Sequence, residues 1–338
     1  MSMEERGRGS EREPAADTDR RADSSGHDSV EPLVSIGVPV FNAERWLARA
    51  LDSLLAQQHR RLEIIICDNA SQDGTVEICR EYARRDSRIR FFENGANLGA
   101  MPNFGRVLSL ASGEYFMWAA ADDWWAPAFV SSTVSELETD PQAGVCMTAL
   151  RRVHDDGTVK DEIRMAGERD PSAMSPLRLA FATAQGENYY FFIYGLYRRV
   201  WLEAAFERLP GVKGADHLFV TQVALAIPFR YIDDMLHVRQ VHETGPADRY
   251  ADEEIGVAYQ DRWGDWKRVA AAGPFLFRSD VIPLRRKPLI PVVLAGFVKP
   301  QVRRESIRLI SRFLGATVGP HRRKSLARFA RTRLGMRV

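Results

Sequence analysis

The chain has little cysteine, no long apolar run and no opening hydrophobic segment, and each shortage removes a class of protein. Its three cysteines, Cys67, Cys79 and Cys146, are odd in number and lack C-x-x-C spacing, which argues against a disulfide framework and a thiolate zinc site. A reducing compartment suits such a chain. No stretch approaches the roughly 18 apolar residues of a membrane-spanning helix, and the charged first residues lack the apolar core of a signal peptide. A cytoplasmic location is the expectation. No glycine-rich phosphate loop follows the first apolar run, which counts against a nucleotidyltransferase. Residues 1–30 hold almost no large apolar side chain, so they are predicted to be disordered and outside the fold.

What remains is globular in character, with 45% apolar and 27% charged residues over 338 positions, enough for one large domain or two modest ones. The net charge of +2 hides an asymmetry, because from Val281 onward there are 15 Lys or Arg residues and a single acid, Glu305. That basic end predicts either an anionic neighbour or a solvated face that serves solubility. Pro288 to Val298 is apolar between basic clusters, too short to span a bilayer and of a kind that can lie in its interface. Peripheral attachment to the inner face of the plasma membrane is therefore expected. A nucleic-acid partner would give no account of the strand-end loops described next, and none is expected.

Unbroken apolar runs at Leu33–Val40, Leu62–Cys67 and Ile89–Phe92, and a fourth opening at Tyr115, predict buried strands. Helices are predicted between them, over about 43–58, 75–85 and 102–111. Four strands alternating with three helices describe a doubly wound α/β sheet whose strand ends gather at one edge, where ligands of such sheets bind. At that edge stand Asp122 and Asp123, directly after the Tyr115 run. Hard carboxylate oxygens there suit Mg²⁺ or Mn²⁺ bridged to phosphates; the alternative is an N-cap for the helix predicted from Pro127 to Thr139. Asn42 is read as a cap of the first helix and Trp46 as core. Beyond Arg151 the pattern is looser: a hairpin turn at Asp155–Gly157, an aromatic strand over Tyr189–Tyr197, a helix from Ala215 to Ala226, short strands at Phe229–Ile232 and Met235–Val241, and a helix over Tyr250–Ala270.

Four loops in order, PVFNAERWL (Pro39–Leu47), CDNASQDGT (Cys67–Thr75), NLGA (Asn97–Ala100) and AADDWW (Ala120–Trp125), resemble the inverting nucleotide-sugar glycosyltransferases of family 2, which have the GT-A fold. The resemblance covers Leu33 to about Leu150. It implies a Rossmann-like, mostly parallel sheet flanked by helices. Residues 31–150 would form the nucleotide-sugar half, 151–270 the acceptor half and 271–338 a basic helical extension. By resemblance Asp68 would bind the nucleotide base, and Pro39, Val40, Asn42 and Asn97 would flank the nucleotide. Asp122 would lie near the ribose or sugar. Asp123 would be the metal carboxylate, with His242 approaching the metal or diphosphate. Asp216 in GADHLF would be the catalytic base, the alternative being a cap of its helix; from aromatic chemistry alone, Tyr189 to Phe192 could form an acceptor wall or lie in the core. The implied activity is sugar transfer with inversion from a nucleotide-diphosphate sugar to a glycan or lipid-linked acceptor in envelope or surface glycan synthesis, assisted by Mn²⁺ or Mg²⁺. Two positions depart from the family pattern, Ala121 and Ala215, each replacing an acid. They leave open a catalytically silent nucleotide-sugar-binding module.

Overall fold

The computed structural model describes residues 31–212, 214–242 and 264–297. The predicted disordered segment, the stretch of the expected 250–270 helix before residue 264, and the basic end beyond residue 297 lie outside them.

Strands β1 (Val34–Val40), β2 (Leu62–Asp68), β3 (Ile89–Glu93) and β4 (Tyr115–Trp118) form a parallel block in the order β3-β2-β1-β4. Every residue of β2 is buried and all but one of β1, which is why their sequences run apolar without alternation. The connecting helices are α1 (Leu47–Leu55), α2 (Thr75–Arg85) and α3 (Ala100–Ser109). Helix α1 begins later than predicted, and Asn42 does not cap it. Instead Asn42 adopts a left-handed backbone (φ 47°) and ties two loops together: its N–H donates to Ser71 Oγ and its Oδ1 accepts from Gln72 N.

The sheet continues into the second half through β5 (Trp124–Trp125), β6 (Val145–Val153), β7 (Val159–Ile163), β8 (Leu196–Arg198) and β9 (Phe229–Gln240), with order β3-β2-β1-β4-β8-β6-β9-β5 and β7 on β6. Helices α4 (Phe129–Thr139), α5 (Pro176–Ala184), α6 (Arg199–Phe206), α7 (Ala215–Ala226), α8 (Gly264–Arg278) and α9 (Ile290–Leu294) complete the described fold. The expected aromatic strand is mostly a 3-10 helix, Asn188–Tyr194. Phe191, Phe192 and Ile193 are buried in succession, which a half-buried strand does not permit. The two short strands near residue 233 are one strand, β9, bulged where Asp233 and Asp234 interrupt the register between Thr148↔Ile232 and Ala149↔Met235.

Trp118 stitches the halves together. Its rings meet Phe104, Phe116, Tyr197, Phe206 and Phe219 at centroid distances of 5.0–6.3 Å. The apolar segment beginning at Pro288 also turns inward. Ile290, Val293 and Phe297 are buried, and a Cβ on Gly296 would stand 2.8 Å from Ala184 Cβ on α5. These side chains pack on the protein, and the remainder of the basic end on which the interfacial expectation rests lies outside the described residues. No described helix is long and apolar enough to cross a membrane. All three cysteines are buried free thiols, and burial pushes Cys67 up to about 11 and Cys79 up to about 12.

Candidate functional site

The carboxyl ends of β1, β2 and β4 open onto one edge, since Val40 lies opposite Asp68 and Gly37 opposite Trp118. Asp68 is 1% exposed. Its Oδ2 accepts from Ser71 N at 3.0 Å, while its buried Oδ1 has no hydrogen-bond partner. An orphaned carboxylate oxygen is costly, and a ligand N–H at this edge would answer it. Ala70, next but one, holds φ at 63° without glycine's freedom, a strained position beside the cleft.

A ladder of asparagines fixes the neighbouring loop. Asn69 Nδ2 donates to Asn97 Oδ1 at 2.7 Å, and Asn69 Oδ1 accepts from Asn94 Nδ2 and Leu98 N. Asn94 also donates to Asn103 Oδ1, and Asn103 to Cys67 O. Asn97 Oδ1 is thus committed to Asn69 and Gly99, so the residue shapes the loop. Val40 is buried and its carbonyl accepts from Asn69 N; Pro39 is half-buried opposite Cys67. Asp73 accepts from Thr75 N and Glu44 N, tying the loop after β2 to the loop after β1.

The adjacent carboxylates differ sharply. Asp123 is 1% exposed with both oxygens taken, Oδ2 by His237 Nε2 at 3.0 Å and Oδ1 by Gln240 N at 3.1 Å. Neither acid caps α4, whose N-cap is Ala128. The Asp122 side chain keeps 27% exposure, and its Oδ2 meets His242 Nε2 at 2.8 Å. That hydrogen bond raises the His242 pKa against the burial that lowers it. His242 Nδ1 lies 3.3 Å from Asp155 Oδ1, an ion-pair distance without hydrogen-bond alignment. Asp155 in turn accepts from Gln240 Nε2, and Gln240 Oε1 accepts from Arg49, whose guanidinium sits 3.6 Å from the Trp124 ring centroid. The Trp46 ring stands 4.5 Å from His242, at the rim and not in the core as first read.

Among the described residues no three His, Cys, Asp or Glu side chains gather to hold an ion alone. A pair of one carboxylate and one imidazole fits a Mg²⁺ or Mn²⁺ whose remaining ligands are phosphate oxygens. Asp122 and His242 supply that pair, whereas Asp123 is engaged internally. Sequence reasoning ranked His237 below His242 and missed Gln240, Asp155 and Arg49. Gln240 and His242 share one face of an extended segment by their spacing of two, which was the available signal; nothing local marks Asp155 or Arg49.

Asp216 opens α7 behind Gly214, whose left-handed φ of 75° sets the entry to the helix. Its carboxylate is half-buried and accepts only from the adjacent His217 N among the described residues. His217 stacks on Tyr190 at 4.6 Å. Of the expected aromatic wall, Tyr189, Phe191 and Phe192 are buried and Tyr190 is the half-exposed member.

Residues 35–206 match the model of glycosyl transferase family 2. The chain belongs to that family. It is 33% identical over 154 residues to the putative glycosyltransferase EpsE of Bacillus subtilis, covering 45% of this chain and 53% of that one. It is 37% identical over 133 residues to an uncharacterised protein of Mycobacterium tuberculosis, 38% of each. The chain thus spans about half or less of these curated relatives. Among solved structures it resembles Staphylococcus aureus TarS 1–349 in complex with UDP-GlcNAc, with TM-score 0.61, 16% identity and coverage of 87% and 83%. It also resembles the mannosyltransferase PcManGT of Pyrobaculum calidifontis in complex with GDP-Man and Mn²⁺, with TM-score 0.50, 18% identity and coverage of 90% and 82%. These neighbours share the GT-A fold.

Proposed function

We propose that this family 2 protein transfers a sugar from a nucleoside-diphosphate sugar to an acceptor hydroxyl with inversion. The observation that carries the reading is the buried, partnerless Asp68 Oδ1 at the carboxyl edge of the parallel block. A base N–H, which uracil and guanine both present, is the group it lacks. Asp122 and His242 are the residues that would hold a divalent ion. Such an ion supplies neutralisation of the charge developing on the departing diphosphate.

Asp216 acts as general base. It takes the acceptor hydroxyl's proton while the oxygen attacks the anomeric carbon from the face opposite the diphosphate. The bond from anomeric carbon to phosphate oxygen breaks as the new one forms, its electron pair leaving with the nucleoside diphosphate. No enzyme nucleophile is required. The His217–Tyr190 stack beside Asp216 offers an aromatic face on which an acceptor sugar can pack.

A glycan or lipid-linked acceptor in envelope synthesis fits this chemistry. Attachment to an anionic membrane would rest on the basic end, since Ile290, Val293 and Phe297 pack on the protein. Ala215, standing where the family pattern has an acid, favours a second reading in which the chain binds the donor without turnover. Mixing the protein with UDP- and GDP-sugars, Mn²⁺ or Mg²⁺ and candidate acceptors separates the two. Released nucleotide with an inverted product anomer supports transfer; tight donor binding without release supports the silent module; no binding overturns both.

A further inference from the structure

One row of the sheet carries two cations and one anion. Arg239 on β9 pairs in register with Arg152 on β6, which pairs with Asp161 on β7. Side chains so aligned stand on one face, and like charges placed opposite each other repel. Asp161 answers one of them: Arg152 Nε donates to Asp161 Oδ1 at 2.6 Å, and a terminal nitrogen donates to Oδ2. Arg239 is the surplus. Among the described residues its side chain makes no ion pair and donates no hydrogen bond, and its guanidinium lies 4.9 Å from the Phe191 ring centroid and 5.7 Å from that of Tyr194.

A guanidinium presents five donors in a rigid fork matched to phosphate and carboxylate oxygens. Left half-buried without such oxygens it is costly to keep. Its surroundings are those of the reaction. On β9 it lies between His237 and Gln240, which both hold Asp123, and the Tyr194 ring beside its guanidinium stands 6.2 Å from the His237 ring. Arg239 therefore stands beside the residues that hold the acidic pair.

We propose that Arg239 is an oxyanion-binding residue, receiving a phosphate or carboxylate of the reacting ligands in its fork. The inference rests on the sugar-transfer reading. The oxyanion comes either from the donor's diphosphate or from an anionic group on the acceptor, and calorimetry on the full chain distinguishes them. UDP, GDP, uridine and guanosine are titrated with Mg²⁺ into wild type, Arg239→Gln and Arg239→Lys. Glycerol phosphate and glucuronate follow in the presence of saturating nucleotide.

A donor phosphate predicts that Arg239→Gln weakens the diphosphates about 10- to 100-fold and leaves the nucleosides unchanged. An acceptor anion predicts unchanged nucleotides and the same loss for glycerol phosphate or glucuronate. Arg239→Lys recovers part of either, because it keeps charge and loses the fork. Nucleotide binding in wild type with no difference in any arm overturns the proposal. So does a uniform loss that includes the nucleosides, which marks a structural residue. Wild type that binds neither UDP nor GDP sinks the sugar-transfer reading itself, and this proposal with it.

Discussion

Along β1 to β3 the strand-end groups find their partners nearby in the chain, whereas the seam between β4 and β9 is held by contacts of great sequence separation. Asn42 reaches Ser71 across 29 positions and Asn69 reaches Asn97 across 28. Asp122 and Asp123 find His242 and His237 across 120 and 114 positions, and Arg49 finds Gln240 across 191. The first region is a pre-shaped cradle that one stretch of sequence builds. The second joins groups far apart in the chain, and it brings Asp122 and Asp123 against the late strand β9 and the residues that follow it.

The sharpest ways to break this comparison lie at the seam. Asp216→Asn should lower kcat by about 10²- to 10⁴-fold, the usual share of a general base, with donor affinity retained; steady-state kinetics beside donor calorimetry tests this. Asp122→Asn should lower turnover by about 10²- to 10³-fold and weaken Mn²⁺ binding measured by electron paramagnetic resonance with the nucleotide present. Asp123→Asn, one position on, should instead cost about 1–3 kcal/mol of stability in urea, because the amide keeps the acceptor for Gln240 N but sets a donor where Oδ2 faced His237. Equal behaviour of the two variants would erase the distinction between them.

The cradle gives smaller effects. Asp68→Ala should raise the donor Kd about 10- to 100-fold, because the unpartnered Oδ1 is removed, and lower stability by about 1 kcal/mol, because Ser71 N loses its bond to Oδ2. Glu63, at the amino end of β2 and away from the cradle, gives the smallest. Burial raises its pKa, but hydrogen bonds from Ser35, from Ser112 through backbone and side chain, and from Arg90 outweigh that and hold it at about 2. A folded-state pKa below the unfolded one gives stability that is present above the unfolded value of 4.5 and lost as pH falls towards 2. Glu63→Gln should therefore be less stable than wild type at pH 7, with the gap closing between pH 5 and pH 2 in urea titrations.

The same contrast explains what could be read from the chain alone. Apolar runs ending in Asp68 and in Asp122–Asp123 marked the strands and their common edge, because buried parallel strands and their loops are local features. The division of labour between the two adjacent acids was not legible, since it depends on His237 and Gln240 arriving from β9. Trp46 looked like core by helical spacing, yet it precedes α1 and faces His242. Tyr189–Tyr197 looked like a strand by composition; side chains buried in succession made it a 3-10 turn, so tertiary packing overrode propensity.

The most direct test of the central claim is a thermal melt of wild type and Asp68→Ala against UDP- and GDP-sugars with Mn²⁺ or Mg²⁺. Selective binding to the folded state contributes about 2.7 kcal/mol at 100 times Kd, a shift of several degrees or less for a chain of this size. The account predicts that at least one nucleotide sugar raises the melting temperature of wild type and not of Asp68→Ala at the same concentration. No shift with any of them, or the same shift in both proteins, contradicts it.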